Sequence, residues 1–241
     1  MIKSLIILFS ITLCRLNAIG VDISLGEAVN FRSRLHVESE DVISSDIPTI
    51  AKTHGFKNPQ YYSVRLRKKI DNNNRSPYFI EVELIHHKLY FKEGLPSFID
   101  NLEFTDGYNF LMGNWSILSK SHGLRIGAGP LIVHTDITIQ GDEAGLSSPL
   151  RIYEKGGGLV PTFSKKHGYS VKGVAAQLSY FYSKKINKKI SGNIEVKVVG
   201  ATMTAPSYFS YTDDSQNTRS FEIRTSNFSI HFLGGISFGK N

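Results

Sequence analysis

Cysteine is almost missing from this sequence: Cys14 is the one instance in 241 residues. That excludes an intramolecular disulfide framework and every cysteine-rich metal site. Long apolar runs are missing as well. Only Leu5 to Cys14 comes close, and ten residues are too few to cross a bilayer as a helix, so a helical membrane protein is excluded. No Pro/Ser-rich linker, low-complexity tract or internal repeat divides the chain, and no window shows a helical apolar stripe. Disorder is excluded in turn, because 41% of the residues are hydrophobic. Positive charge is in moderate excess, 28 Lys+Arg against 21 Asp+Glu, which raises nucleic acid or an anionic surface as partners.

The N-terminal segment reads as an address. Lys3 precedes the apolar stretch, and Arg15-Leu16-Asn17-Ala18 ends on a small residue, the three-part layout of a secretory signal. Cleavage after Ala18 is expected. A lipoprotein reading at Cys14 meets the bulky Leu13 where a small residue belongs. Residues 1–18 are therefore assigned to a signal peptide and 19–241 to one domain. Removing Lys3 and Arg15 leaves 26 cations against 21 anions, a net charge of +5, and no cysteine.

Alternation with a period of two fills the remainder. From Val21 to Val37 the apolar residues fall on odd positions, with Asp22, Ser24, Asn30, Arg32, Arg34 and His36 between them. The pattern returns at Tyr62–Leu66, Tyr78–Leu84, Phe104–Met112, Leu124–Ile132, Val174–Tyr182, Ile194–Val198 and Phe228–Phe238. These are eight expected strands. Short connections near Asp71–Ser76, Ser119–His122 and Lys184–Ser191 alternate with long ones near Ser39–Pro59, Lys92–Asn101, Gln140–His167 and Pro206–Ser220. An even strand count with alternating short and long connections is the pattern of an outer-membrane barrel. Aromatic pairs at strand ends, such as Tyr78-Phe79 and Tyr90-Phe91, suit its interfacial girdles.

The fold expected is all-β: an eight-stranded antiparallel up-and-down transmembrane β-barrel with short periplasmic turns and long extracellular loops. Its lumen would hold the polar set Glu81, Glu83, His87, Glu103, Asn109, Arg125, Gln177, Glu195, Lys197 and His231. Eight strands enclose little more than side chains, so a paired interior makes a plug and no pore. A soluble lipid-binding barrel, with the two faces exchanged, is the alternative architecture.

The segments Glu83–Tyr90, Phe104–Leu111 and Arg125–Pro130 resemble small Gram-negative outer-membrane barrels, in particular the lipid A oxidase-like group. The likeness covers roughly Tyr61 to Phe238. It implies an eight-stranded barrel and, in some members, modification of lipid A. The chain departs from many such barrels at its end, where Gly239-Lys240-Asn241 follow the aromatic Phe238.

Three residues then attract attention. His86, Asp106 and His134 all fall toward the outer ends of their strands, on even positions read as lipid-facing. Two imidazoles and a carboxylate are the ligand set of a non-haem Fe(II) site, or of another divalent metal. They are the candidate catalytic and metal residues of a lipid A-modifying oxidase. Interfacial polar residues of no catalytic role fit the same pattern, and a β-bulge would flip the parity. A deacylase would need a Ser/His/carboxylate set, and Ser121-His122 sits in an expected periplasmic turn. Glu81, Glu83 and His87 read as interior partners of Arg125 and Lys197 more readily than as an acid/base cluster. Gly127-Ala128-Gly129 precedes no helix and reads as close packing, the triple glycine Gly156–Gly158 as loop, and Tyr208–Tyr211 as girdle.

Charge is expected to be segregated. Arg65, Arg67, Lys68, Lys69, Arg75, Lys120, Lys184, Lys185, Lys188, Lys189 and Lys240 would form a periplasmic rim. Glu38, Glu40, Asp41, Asp46, Asp142, Glu143, Asp213 and Asp214 would make acidic outer loops. The expected partners are outer-membrane lipids and lipopolysaccharide, with the outer-membrane assembly machinery during biogenesis, and the expected state is a monomer. Nucleic acid is disfavoured, since an exported membrane chain has no access to it and no recognition motif appears. Three functions stay open: a structural or interaction barrel at the lipopolysaccharide surface, a lipid A-modifying enzyme, and a secreted lipid-binding barrel.

Overall fold

The computed structural model describes residues 19–39, 45–53, 61–70, 77–91, 94–104, 107–141, 144–154 and 169–239. Residues 1–18, expected as a signal peptide, lie outside the described residues, as do Arg75, Asp106 and Gly156–Gly158. Eight long strands form a closed antiparallel ring: β1 (Ile19–Asn30), β4 (Tyr62–Ile70), β5 (Tyr78–His86), β8 (Tyr108–Ser119), β9 (His122–Val133), β12 (Ser170–Lys185), β13 (Ile190–Met203) and β15 (Thr218–Phe238). The ring closes between β1 and β15, with Val21 opposite Phe238 and Asn30 opposite Ser229. Full closure leaves the barrel no edge along these strands.

Short connections gather at one end, here the turn end. Lys120 and Ser121 join β8 to β9, and Lys120 takes the left-handed conformation (φ 57°) that so tight a hairpin demands. The first residues of β1 and the last of β15 lie at the same end, where Ile19 pairs with Lys68 and Ile190 with Phe238.

The opposite end is capped by further strands inside the long connections. β2 (Arg32–Ser39) pairs with the upper part of β15, and β3 (Ser45–Ile50) pairs with β2. β14 (Ser207–Thr212) lies along β15 on its other side. A separate four-stranded sheet has the order β11-β10-β7-β6, built from β6 (Leu89–Phe91), β7 (Ile99–Phe104), β10 (Asp136–Ile139) and β11 (Leu150–Tyr153). The connections expected as loops therefore hold a folded β cap.

Alternation explains the wall. Ile23, Leu25, Leu66, Ile80, Val82, Leu124, Ile126, Leu178, Val196 and Phe232 are large, apolar and exposed on the outside of the ring. No helix among the described residues is long and apolar enough to cross a membrane. The ring turns its apolar set outward.

Two strand expectations need correction. The run Val21–Val37 is not one strand of constant facing: it breaks at Phe31, whose N–H bonds Phe228. Odd residues face outward in β1, whereas Leu35 and Val37 in β2 are wholly buried in the cap. The segment Phe104–Met112 is also divided, since Phe104 ends β7. Within β8 it is Tyr108, Phe110 and Met112 that point inward, fully buried, while Leu111 and Trp115 face out. Asn109, expected in the lumen, therefore shares the outward parity, and Glu103 lies in the cap. One physical cause covers both cases. Apolar side chains face outward where the strands form the barrel wall, but inward where the same strands roof the lumen and build the cap's core.

Candidate functional site

The lumen is filled in three layers. At the turn end Phe79, Leu118 and Phe181 form a small apolar cluster. The Arg125 guanidinium lies 4.4 Å from the Phe181 ring centre and that of Arg67 5.6 Å from Phe79. Above them stands a buried charge network of four carboxylates, Asp22, Glu81, Glu83 and Glu195, against four cations, Arg65, Arg67, Arg125 and Lys197.

Glu83 is the hub. Its carboxylate accepts from Ser63 at 2.5 Å, Lys197 at 2.6 Å, Arg65 at 2.7 Å, Gln177 at 2.8 Å and Asn114 at 2.9 Å. These donors come from β4, β8, β12 and β13, so one side chain ties together walls that are not neighbours. Arg65 also donates to Glu195 at 2.8 Å and Asp22 at 3.1 Å. Arg125 donates to Glu195 at 2.7 Å and to Glu81. Unpaired ions would be very costly here, and the matched charges with multiple hydrogen bonds offset that cost.

Alternation brings these residues to one level. Arg65 stands opposite Glu83 and Arg67 opposite Glu81 in the β4–β5 ladder. Asn114, Gly127 and Gln177 share a row across β8, β9 and β12. Gln177 donates to Asn114 at 2.6 Å over Gly127, where a Cβ would lie 1.7 Å from the Asn114 oxygen. Gly127 is thus a gap through which two side chains meet, as its small size suggested.

The third layer closes the cap end. The rings of His87 and His231 lie 4.9 Å apart, flanked by Tyr61, Tyr108 and Phe110. The His231 ring is hydrogen-bonded to Tyr61 and, at 2.6 Å, to Ser229; His87 bonds Thr53 at 3.1 Å. Above this layer the apolar core continues into the cap through Leu89, Phe91, Leu102, Phe104 and Ile137.

The expected interior pairing of Glu81 and Glu83 with Arg125 and Lys197 is present. Arg65 and Arg67, expected at the periplasmic rim, are instead buried in the lumen, at 3% and 6% exposure. Parity carries the signal that places them there, since Tyr62, Val64 and Leu66 take the other face of β4. Asp22, Tyr61 and Ser229 join the lumenal partners as well, bonded to Arg65, His231 and His231 respectively. The rim keeps Lys68, Lys120, Lys184, Lys185, Lys188 and Lys189, all exposed.

His86 and His134 both stand at the cap end of the ring. His86 retains outward parity but is buried at 6% exposure, hydrogen-bonded to Asn109 at 2.8 Å and stacked on Tyr62 at 5.0 Å. His134 follows β9 and packs against Tyr153 and Tyr169. Their partners differ, and Asp106 lies outside the described residues. Among the described residues no three His, Cys, Asp or Glu side chains gather in a metal-binding group.

No protein-family model matches the chain, and no curated protein does. Several solved structures align over most of its length. The attachment invasion locus protein Ail of Yersinia pestis aligns at 8% identity and TM-score 0.38, over 91% of this chain and 98% of that one. The outer membrane protease OmpT of Escherichia coli aligns at 10% identity and TM-score 0.46, over 92% and 96%. The toluene transporter TodX of Pseudomonas putida aligns at 10% identity and TM-score 0.24, over 92% and 89%.

Proposed function

We propose that this chain is an outer-membrane β-barrel that serves as a sealed anchor and displays a folded β cap among the lipopolysaccharide of the cell surface. One observation carries the reading: an apolar, lipid-facing wall surrounds a lumen that charge pairs and aromatic layers fill from end to end. Such a lumen transports nothing, so the work falls to the wall and the cap. The exposed lysines at the turn end suit an anionic inner leaflet, each contributing about 1 kcal/mol near such a surface. The cap presents Glu38 and Asp214 outward, and carboxylates there suit a divalent-rich lipopolysaccharide layer.

Fractionation tests this directly. The processed chain is expected in the outer membrane, migrating faster in a gel when unheated than when boiled, with protease on intact cells cutting only the cap. A chain that stays soluble without detergent would overturn the reading and favour a secreted lipid-binding barrel.

A second reading, a metal-dependent lipid A oxidase, is favoured by the position of His86 and His134 at the cap ends of β5 and β9. Together with Asp106 they would hold a divalent metal such as iron near the outer-leaflet headgroups.

A further inference from the structure

The lipid-facing wall is not evenly covered. In the row Gly113–Ala128–Ala176–Gly200, four adjacent strands present side chains no larger than methyl, each opposite the next in register. Trp115, Ile126 and Leu178 stand on one side of the row, so the wall is recessed by the length of a side chain. The recess is a trough of about 1030 Å³. A second concavity of about 550 Å³ shares Ala128, Ala176, Gly200 and Phe228 with it and ends at Arg34.

The trough descends through the wall. Gly200 is ten residues from the turn end of β13 at Ile190, while Gly113 is six from the turn end of β8 at Ser119. Its high end, bordered by Thr202, Ser226 and Arg34, lies where barrel meets cap. Its low end, at Trp115, lies deeper in the lipid-facing belt. Arg34 is exposed and makes no ion pair among the described residues. The floor offers an occupant mainly apolar contact, and Arg34, the cation among the lining residues, stands where headgroups would be.

We propose that this trough binds one acyl chain of an anionic, phosphate-headed membrane lipid, whose phosphate is held by Arg34. The inference rests on the membrane reading above. Only an amphiphile of that shape meets both ends: an apolar tail displaces bulk lipid from a recess that protein side chains leave unfilled, and a guanidinium prefers phosphate for its bidentate geometry.

The protein carries its own probe, since Trp115 is the single tryptophan and lines the low end. The purified chain is refolded into vesicles containing equal fractions of brominated phosphatidylglycerol or brominated phosphatidylcholine, and Trp115 quenching is compared. Quenching by the anionic lipid is expected to reflect about fivefold tighter association, the equivalent of about 1 kcal/mol for one arginine at an anionic headgroup. Arg34→Gln should abolish the preference. Ala176→Leu and Gly200→Leu, both on the outward face, should weaken quenching by either lipid, with heat-modifiable migration showing that each variant is folded. Equal quenching by the two lipids would overturn the lipid site and leave the membrane reading intact. Weak quenching together with a crosslinked dimer would assign the trough to a second copy and overturn it as well. Absence of quenching in every lipid, with the chain recovered outside the vesicles, would defeat the membrane reading itself.

Discussion

Lys197 of β13 donates to Glu83 of β5 across the lumen at 2.6 Å, and neither side chain has any exposure to solvent. Strands that share no ladder are thereby joined through the middle of the barrel. Because the pair sits inside a network of matched charges, removing one partner leaves the other buried with incomplete compensation.

Lys197→Met is expected to destabilise the folded barrel by about 3 to 5 kcal/mol, the usual cost of stranding a buried charge. Glu83→Gln should also destabilise it, and the double variant should cost less than the sum of the two. Urea unfolding in detergent micelles, followed by Trp115 fluorescence, measures all three.

Gly127→Ala should cost about 1 to 3 kcal/mol by driving Asn114 and Gln177 apart and leaving buried amide groups unpaired. Gly113→Ala is the control on the neighbouring outward row. A Cβ there comes no closer than 3.8 Å to its nearest neighbour, so stability should change little. Equal losses in both variants would contradict the role given to the Gly127 gap.

The cap hairpin between β14 and β15 should be sensitive to acid. The Asp213 carboxylate accepts from the Asn217 backbone N–H at 2.8 Å and also faces Arg219, and these contacts hold its pKa below the ordinary aspartate value. A depressed pKa means that the stabilisation is present above the unfolded aspartate range and is lost as pH falls through the folded value. Hydrogen exchange of the hairpin amides should therefore lose protection on acidification. Asp213→Asn should flatten that dependence.

A lumen filled in three layers should not conduct. Planar bilayers containing the purified barrel are expected to show no discrete conductance steps. Replacing Glu81 and Arg125 together with alanine, which opens the middle layer beside the Phe181 cluster, should introduce a small cation or anion leak.

Lipid A separates anchor from enzyme. Mass spectra of lipid A from cells with and without the chain should be identical if it is an anchor. A mass difference that disappears in His86→Ala, Asp106→Ala or His134→Ala would favour the oxidase reading instead.

The sequence by itself determined the eight strands, their alternation and the paired charges within, because a period of two places Glu81, Glu83, Arg125, Glu195 and Lys197 on one face whatever surrounds it. It also marked the long connections, though not their strands, since short segments such as Leu89–Phe91 carry no period of their own. Only the tertiary structure decided which face was inside. Val37 and Phe110 look like outward-facing residues in one dimension, yet both lie in the core, because the apolar set faces outward only below the cap. Arg65 and Arg67 look like a basic rim, yet both lie inside the closed ring, where Arg65 meets Glu83 of β5 and Glu195 of β13 and Arg67 meets Asp22 of β1. A strand's pattern fixes that two faces differ. The solvent or lipid each one meets is set by the neighbours that the fold brings, and those are absent from the strand itself.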